Sequence, residues 1–396
     1  MKLDKPRLPV HYIDSETALE SMLSSLKPVK QIALDAERAS GFRYSQRAYL
    51  IQISTGSDIF LVDPSALTEV SDDWAAKLAE VINPITWLLH AATQDLPCLA
   101  ELGLLPSSLI DTELASRLAG LERVGLGSIA LELRGLELAK EHSAADWSLR
   151  PLSEEMLDYA ALDVDVMFEI WEALRIRLED QGKLQWANQE FEHLVHFKPK
   201  PVALEPWRNL PGLSKVKDLS RVKVGASLWL VRDAIARERD VAPGRLIPDR
   251  SIAAVIENVP KSKSELASNK AFQGRASRSL LNEWWQAIAD AKDLDVDLVP
   301  KERGNGIPSH RSWEKRFPDA HRRLEVTRPL LVALSVELKL PVENLLTPDT
   351  LRRICFEPAA SIAEQLSSLG ARGWQVELVE PLIRAGFEKA ELPPEA

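Results

Sequence analysis

The sequence predicts an α/β domain with a mixed sheet flanked by helices, followed by two small all-α helical domains. Three observations predict this. Short β-type runs give way to alternating apolar runs and helical patterns in the first 200 residues. Proline and charge interrupt the helical periodicity at Lys198-Pro-Lys-Pro-Val-Ala-Leu-Glu-Pro206, and again at 293–310, a stretch that includes Pro300-Lys-Glu-Arg-Gly-Asn-Gly-Ile-Pro308. The last 190 or so residues carry a helical pattern that repeats itself. A chain of 396 residues, 45% hydrophobic and 27% charged, is long enough for two or three domains, and its composition excludes disorder and fibrous repeats.

Residues 29–35, 48–54 and 58–63 are β-type runs separated by turns bearing Gly or Ser, which suits a three-stranded antiparallel meander. An amphipathic helix (73–81), an apolar run (85–89), a short helix (96–102) and a further run (109–111) follow, making the sheet mixed. Residues 153–181 read as one long helix, with Ser153 as its cap and Glu154 and Glu155 in its first turn. The domains are expected at 1–200, 207–292 and 311–390. In the last two, Leu246-Ile-Pro-Asp-Arg-Ser-Ile252 follows a helical stretch at 228–239, and Leu345-Leu-Thr-Pro-Asp-Thr-Leu351 follows one at 329–339. Each Pro-Asp step can start a helix (253–257 and 352–356), which must stop at Pro260 or Pro358. The economical reading is an internal duplication of a module of about 80–90 residues. The alternative is coincidence among leucine-rich helices with Pro-Asp caps.

The net charge of −10 argues, taken alone, against a polyanionic partner. Its distribution argues the other way. Residues 1–200 hold 19 basic and 32 acidic side chains, whereas 207–292 hold 16 and 9, a local net of +7, and 301–396 balance at 14 and 14. Lys215, Lys217, Arg221, Lys223, Lys261, Lys263, Lys270, Arg275 and Arg278 therefore suit phosphate contact, against the alternative of an ordinary solvated surface. Trp284 and Trp285 fit a helical core, with a base-stacking platform as the alternative. No run of 18 apolar residues occurs and the first residues have no apolar signal core, so neither a membrane span nor a leader is expected, and the chain should work in the cytoplasm. Cys98 and Cys355 lie far apart without a CxxC partner, which predicts buried thiols and leaves oxygen or nitrogen to hold any metal.

Four acids are poorly explained by structure alone. Asp35 and Glu37 end the run Ile32-Ala-Leu and, with a strand period of two, share one face of a central strand. Side-by-side carboxylates on a buried face repel unless a cation lies between them. Asp95 follows Trp87-Leu-Leu-His-Ala-Ala-Thr-Gln and could be only a helix cap. Tyr159 and Asp163, four apart, share a helix face with Met156 and Met167. Oxygen-only ligands suit Mg²⁺ or Mn²⁺, and two such ions about 3.5–4 Å apart can clamp an in-line phosphoryl displacement.

Asp35-Ala-Glu37, Leu50-Ile-Gln-Ile53, His90-Ala-Ala-Thr-Gln-Asp95-Leu, Asp146-Trp-Ser-Leu-Arg-Pro-Leu152 and Tyr159-Ala-Ala-Leu-Asp163-Val resemble the exonuclease motifs of the ribonuclease D family. That family belongs to the tyrosine-bearing subgroup of the four-acid 3′→5′ exonucleases. Residues 207–292 are similar to the HRDC domain that RecQ-type helicases share with ribonuclease D, and 311–390 look like a diverged second copy. The resemblance implies a ribonuclease-H-like exonuclease domain and a metal-dependent 3′→5′ exoribonuclease releasing 5′-mononucleotides. It implies RNA with a free 3′ end as partner, tRNA precursors first, and a monomer. It makes Asp35, Glu37, Asp95 and Asp163 the ligands of two divalent cations, with Asp35 bridging both and Asp95 acting partly through water. Tyr159 would position or help deprotonate the attacking water, and Glu37 would contact that water or the terminal 3′-hydroxyl. The helix after Leu96 and the loop with Arg43 and Tyr44 should flank the terminal nucleotides. Leu162 departs from the alanine more usual in the family, on a side of the helix away from Tyr159 and Asp163.

The rival readings are a DNA exonuclease of the Werner type and a nucleic-acid-binding protein with a decayed site, the latter disfavoured because all four acids and the tyrosine are present. His90 reads as a packed core histidine, and Asp146, Trp147 and Arg150 as a structural clamp, with phosphate contact by Arg150 as the sharper alternative. Gly125-Leu-Gly127 lacks the context of a nucleotide fingerprint. If the basic module holds RNA, deleting 207–396 should weaken binding and flatten its salt dependence more than it harms the chemistry.

Overall fold

A computed structural model describes residues 1–139, 145–272, 274–298 and 306–392, so the middle of the linker expected at 293–310 lies outside the described residues. The first domain is built on six strands: β1 (Val10–Ile13), β2 (Gln31–Arg38), β3 (Ala48–Ser54), β4 (Ile59–Val62), β5 (Thr86–Leu89) and β6 (Ser108–Asp111). Their order is β1-β4-β3-β2-β5-β6. β2, β3 and β4 form the expected antiparallel meander, while β1, β5 and β6 join parallel to their neighbours. β1 has no counterpart among the sequence expectations, because it is four residues long and exposes Val10 and His11.

Both faces of the sheet are covered, which is why β3 and β4 are buried along their whole length and read as apolar runs. Ile32, Leu34, Ile51, Ile53 and Trp87 pack into the larger core on one side. Ala33, Leu50, Leu61 and Leu88 meet Trp147, Ala160, Ala161, Val164 and Met167 on the other. The single helix expected at 153–181 is two, Glu154–Asp165 and Met167–Asp180. Arg7 holds the break. Its backbone N–H donates to Asp165 Oδ2 at 2.9 Å and its guanidinium reaches the Asp165 side chain and carbonyl oxygens. The break arises from a tertiary contact of the N-terminal segment, to which helical periodicity is blind.

The two helical modules repeat one plan. A shift of 99 residues takes Leu219–Glu238, Pro243–Leu246, Asp249–Glu257 and Lys263–Ser268 onto Pro318–Glu337, Val342–Leu345, Pro348–Phe356 and Ile362–Ser368. The turn after each first helix holds a non-glycine residue in the left-handed region, Asp240 at φ 46° and Lys339 at φ 53°. The third helix of each module starts at the Pro-Asp step itself, a few residues before the position read from the sequence. Pro329, expected to open a helix, lies inside Pro318–Glu337.

The modules attach to the first domain in different ways, each through its left-handed corner. The second has its own core, around Trp207, Leu228, Phe272 and Trp284. It meets the first through a polar clasp: Ser45 N–H donates to Asp240 Oδ1 at 2.9 Å, Tyr44 Oη to Asp233 at 3.0 Å, Ala242 N–H to the Phe42 carbonyl at 3.0 Å and Arg245 Nε to the Gly41 carbonyl at 2.7 Å. The third shares the large core of the first domain, contributing Trp313, Leu331, Trp374 and Ile383. Buried Lys183 donates to the Leu118 and Leu338 carbonyls at 2.8 and 2.6 Å, binding two helix C-termini across the junction. Buried Glu190 accepts from Arg372 and Trp374 Nε1, and Trp186 stacks on Trp374 at 4.9 Å.

Deleting 207–396 would thus lay bare apolar surface on the first domain, and the truncation suggested by charge alone does not isolate RNA binding. Among the described residues no helix is long and apolar enough to cross a membrane. Gly120 (φ +77°) would place a Cβ 2.8 Å from the Lys339 carbonyl, whereas Gly103 (φ +75°) has open space around it. Gly103→Ala should therefore cost only the left-handed backbone, roughly 1–2 kcal/mol. Gly120→Ala should cost about 1–3 kcal/mol more by urea unfolding, and equal losses would show that the third domain gives way freely at this contact.

Candidate active site

β2 carries Asp35 and Glu37 on one face, as their spacing predicts, and a bulge falls between Glu37 and Arg38. A bulge bends its strand and re-aims the residues beyond it, and here it separates two acids from the loop clasped by the second domain. Carboxylate oxygens of Asp35, Glu37 and Asp163 lie within 4.8 Å of one another. Asp95 is buried at the start of the helix Leu96–Ala100, yet its side chain caps no N–H there. It stands beside Asp35 and Arg38 instead, so the capping alternative gives way to a place in the cluster. Tyr159 stands one turn before Asp163 on Glu154–Asp165 and its hydroxyl donates to Asp163. All five residues singled out from the sequence are brought together.

Electrostatics here is dominated by burial of like charges. Burial raises Asp35 and Asp163, and burial with the neighbouring acids pushes Glu37 up to about 10 and Asp95 up to about 9. The Tyr159 hydroxyl is raised by burial and then by Asp163, Glu37 and Asp35, so it stays a neutral donor near pH 7. The opposing positive charge is Arg38, whose Nη2 lies 3.8 Å from Asp95 Oδ1; sequence reasoning missed it, its one signal being its place next to Glu37. Four oxygen donors facing one guanidinium fit a hard divalent cation, and they fit nothing softer.

The surroundings resolve several sequence readings. His90 Nδ1 lies 2.9 Å from Thr112 Oγ1 and burial drops its pKa to about 4, as suits a neutral, packed histidine. Arg150 is engaged by Asp63 at 2.6 and 2.8 Å and by the Tyr49 carbonyl, which is the clamp reading. Trp147 packs 6.3 Å from the Tyr159 ring and Arg43 Nε donates to Ser148 Oγ, so this segment backs the tyrosine. Tyr44, expected to flank a nucleotide, is turned to Asp233 and Arg237 of the second domain, a partnership that no local pattern reveals. Cys98 and Cys355 are buried and free.

A carboxyl raised in the folded state binds its proton there more tightly than in the unfolded chain. Its contribution to stability is complete below the unfolded pKa and is lost as pH rises through the folded value. In EDTA, the melting temperature should therefore fall steadily between about pH 5 and pH 9, and excess divalent cation should restore it most at the alkaline end. A pH-independent difference between EDTA and cation would remove the electrostatic account of the cluster.

Residues 10–179 match a family described as 3′-5′ exonuclease, 222–288 match the HRDC domain, and 306–387 match a 3′ to 5′ exonuclease C-terminal domain. Ribonuclease D of Granulibacter bethesdensis is 27% identical over 386 residues, covering 91% of this chain and 94% of the relative. The crystal structure of a protein from Bifidobacterium adolescentis superposes with a TM-score of 0.88 at 35% identity, covering 98% of this chain and 99% of that one. The structure of Escherichia coli RNase D, described as an exoribonuclease involved in structured RNA processing, superposes with a TM-score of 0.68 at 25% identity over 96% and 99%. Likeness extends over the whole of both chains, catalytic and helical domains alike, and on that ground the chain belongs to the ribonuclease D family of 3′→5′ exonucleases.

Proposed function

We propose that this chain is a two-metal 3′→5′ exoribonuclease that trims structured RNA from its 3′ end, tRNA precursors first, releasing 5′-mononucleotides and acting as a monomer. Exoribonuclease activity is that of the family to which it belongs, and the matched exonuclease family is divalent-metal dependent. The observation that carries the reading is the convergence of Asp35, Glu37, Asp95, Asp163 and Tyr159, drawn from a strand, a loop and a helix, on a patch with Arg38 as counter-charge.

In this reading Asp35, Glu37, Asp95 and Asp163 would hold two divalent cations, Mg²⁺ or Mn²⁺. Ions bound there would activate water for attack and offset charge on the scissile phosphate. Tyr159, held neutral, orients the attacking water by a hydrogen bond, and Trp147 and the Arg43–Ser148 contact fix the tyrosine's surroundings. Glu37 contacts that water or the terminal 3′-hydroxyl. Exposed Lys215, Lys217, Lys261, Lys263, Lys270, Arg275 and Arg278 of the second domain hold the phosphate backbone. The structured-RNA preference follows the description of the Escherichia coli relative.

The test is hydrolysis of a 3′-extended tRNA precursor beside a matched DNA strand in Mg²⁺ and in Mn²⁺. Asp35→Asn and Asp163→Asn should abolish turnover with RNA binding retained; normal activity in either would remove that residue from the site. Tyr159→Phe should lose roughly 10²–10⁴-fold in kcat. Faster decay of the DNA strand would move the enzyme to the Werner-type class. Arg275→Ala with Arg278→Ala should weaken RNA binding and lower the slope of log affinity against log salt by about 1 per lost contact, and an unchanged slope would take these two off the RNA path.

A further inference from the structure

The sheet face that carries the acids also carries a polar side chain without a partner. Gln52 on β3 is fully buried, and among the described residues neither its Nε2 nor its Oε1 meets a hydrogen-bonding group. Its register partner on one side is Asp35 and on the other Leu61. Directly opposed residues of an antiparallel pair point their side chains to the same face, with Cβ atoms about 4.5–5.5 Å apart, so the amide lies within reach of the Asp35 carboxylate. Along β3 the neighbours on that face are Leu50, opposite Glu37, and Ser54, opposite Ala33. A leucine or methionine at 52 would suit such surroundings, because an unmade hydrogen bond in a buried site is costly and an apolar isostere removes the cost.

The unspent donor has a use once Asp35 is a ligand. Asp35 stands beside Asp95, with Arg38 opposed to both. A carboxylate that ligates a cation is itself held by hydrogen bonds from groups standing behind it. Gln52 offers Asp35 such a donor from across the ladder. We propose that Gln52 is a positioning residue of the cation site, its Nε2 donating to ligating Asp35 and fixing which oxygen faces the ion. The inference rests on the reading of Asp35 as a ligand. Orienting groups of this kind, standing behind the ligands, typically govern metal affinity by about 10–100-fold.

The test uses the full chain without RNA and needs no turnover. Mn²⁺ binding is measured by titration calorimetry, and melting is followed in EDTA, for Gln52→Met, Gln52→Leu and Asp35→Asn. The Gln52 variants should bind Mn²⁺ about 10–100-fold more weakly while melting in EDTA at or above the parent temperature, a split that loss of packing does not produce. Unchanged affinity in the Gln52 variants with lost affinity in Asp35→Asn overturns the role of Gln52 alone. Unchanged affinity in all three overturns the cation site and this inference with it. A lower melting temperature in EDTA for both Gln52 variants makes the amide a packing element and overturns the proposal.

Discussion

The constraint on which the rest depends is the burial of four carboxyl groups side by side against a covered sheet face. Asp35, Glu37, Asp95 and Asp163 are raised chiefly by burial, with Arg38 opposed to them. Burying these acids near neutral pH works against the folded chain. The patch persists because the surrounding scaffold over-determines it, through a central strand covered on both faces and a helix pinned by Arg7 at Asp165. A site that is uncomfortable without a cation is one that binds a cation well, and the unpaired amide of Gln52 belongs to the same set of groups held ready.

The helical modules show one structural plan put to two uses. Each presents its left-handed corner to the first domain. At Lys339 the corner abuts Gly120, beside an apolar interface fastened by Lys183 and Glu190, and the module becomes part of the same core. At Asp240 the corner grips Ser45 and Tyr49 through a carboxylate, beside the strand that carries the acids. Asp is among the few residues that enter this backbone region at modest cost, and here its side chain does the gripping as well. The basic module is thus held next to the strand of the acidic cluster by polar bonds, while the charge-balanced one shares the first domain's core.

Much of this was legible in the chain. Period-two spacing placed Asp35 and Glu37 on one face, four-residue spacing placed Tyr159 beside Asp163, and apolar runs located the meander and β5. Local rules were less able to place Asp95, whose position before a helix suggests a cap although its carboxyl turns to Asp35. They missed the break at Val166, the partnership of Tyr44 and the fusion of the third domain with the first, because each is made by residues more than a hundred positions away.

The sequence by itself determined which side chains have the chemistry for phosphodiester hydrolysis, which faces of strand and helix they occupy, and which module carries the positive charge. These properties follow from the period of the backbone and from composition, both local. Tertiary structure alone decided that the acids meet, that Arg38 is the counter-charge, that Gln52 lies opposite Asp35 without a partner, and that one helical copy grips while the other merges. Such outcomes depend on register and docking, and a one-residue slip of β3 would carry Gln52 to the opposite face and away from Asp35.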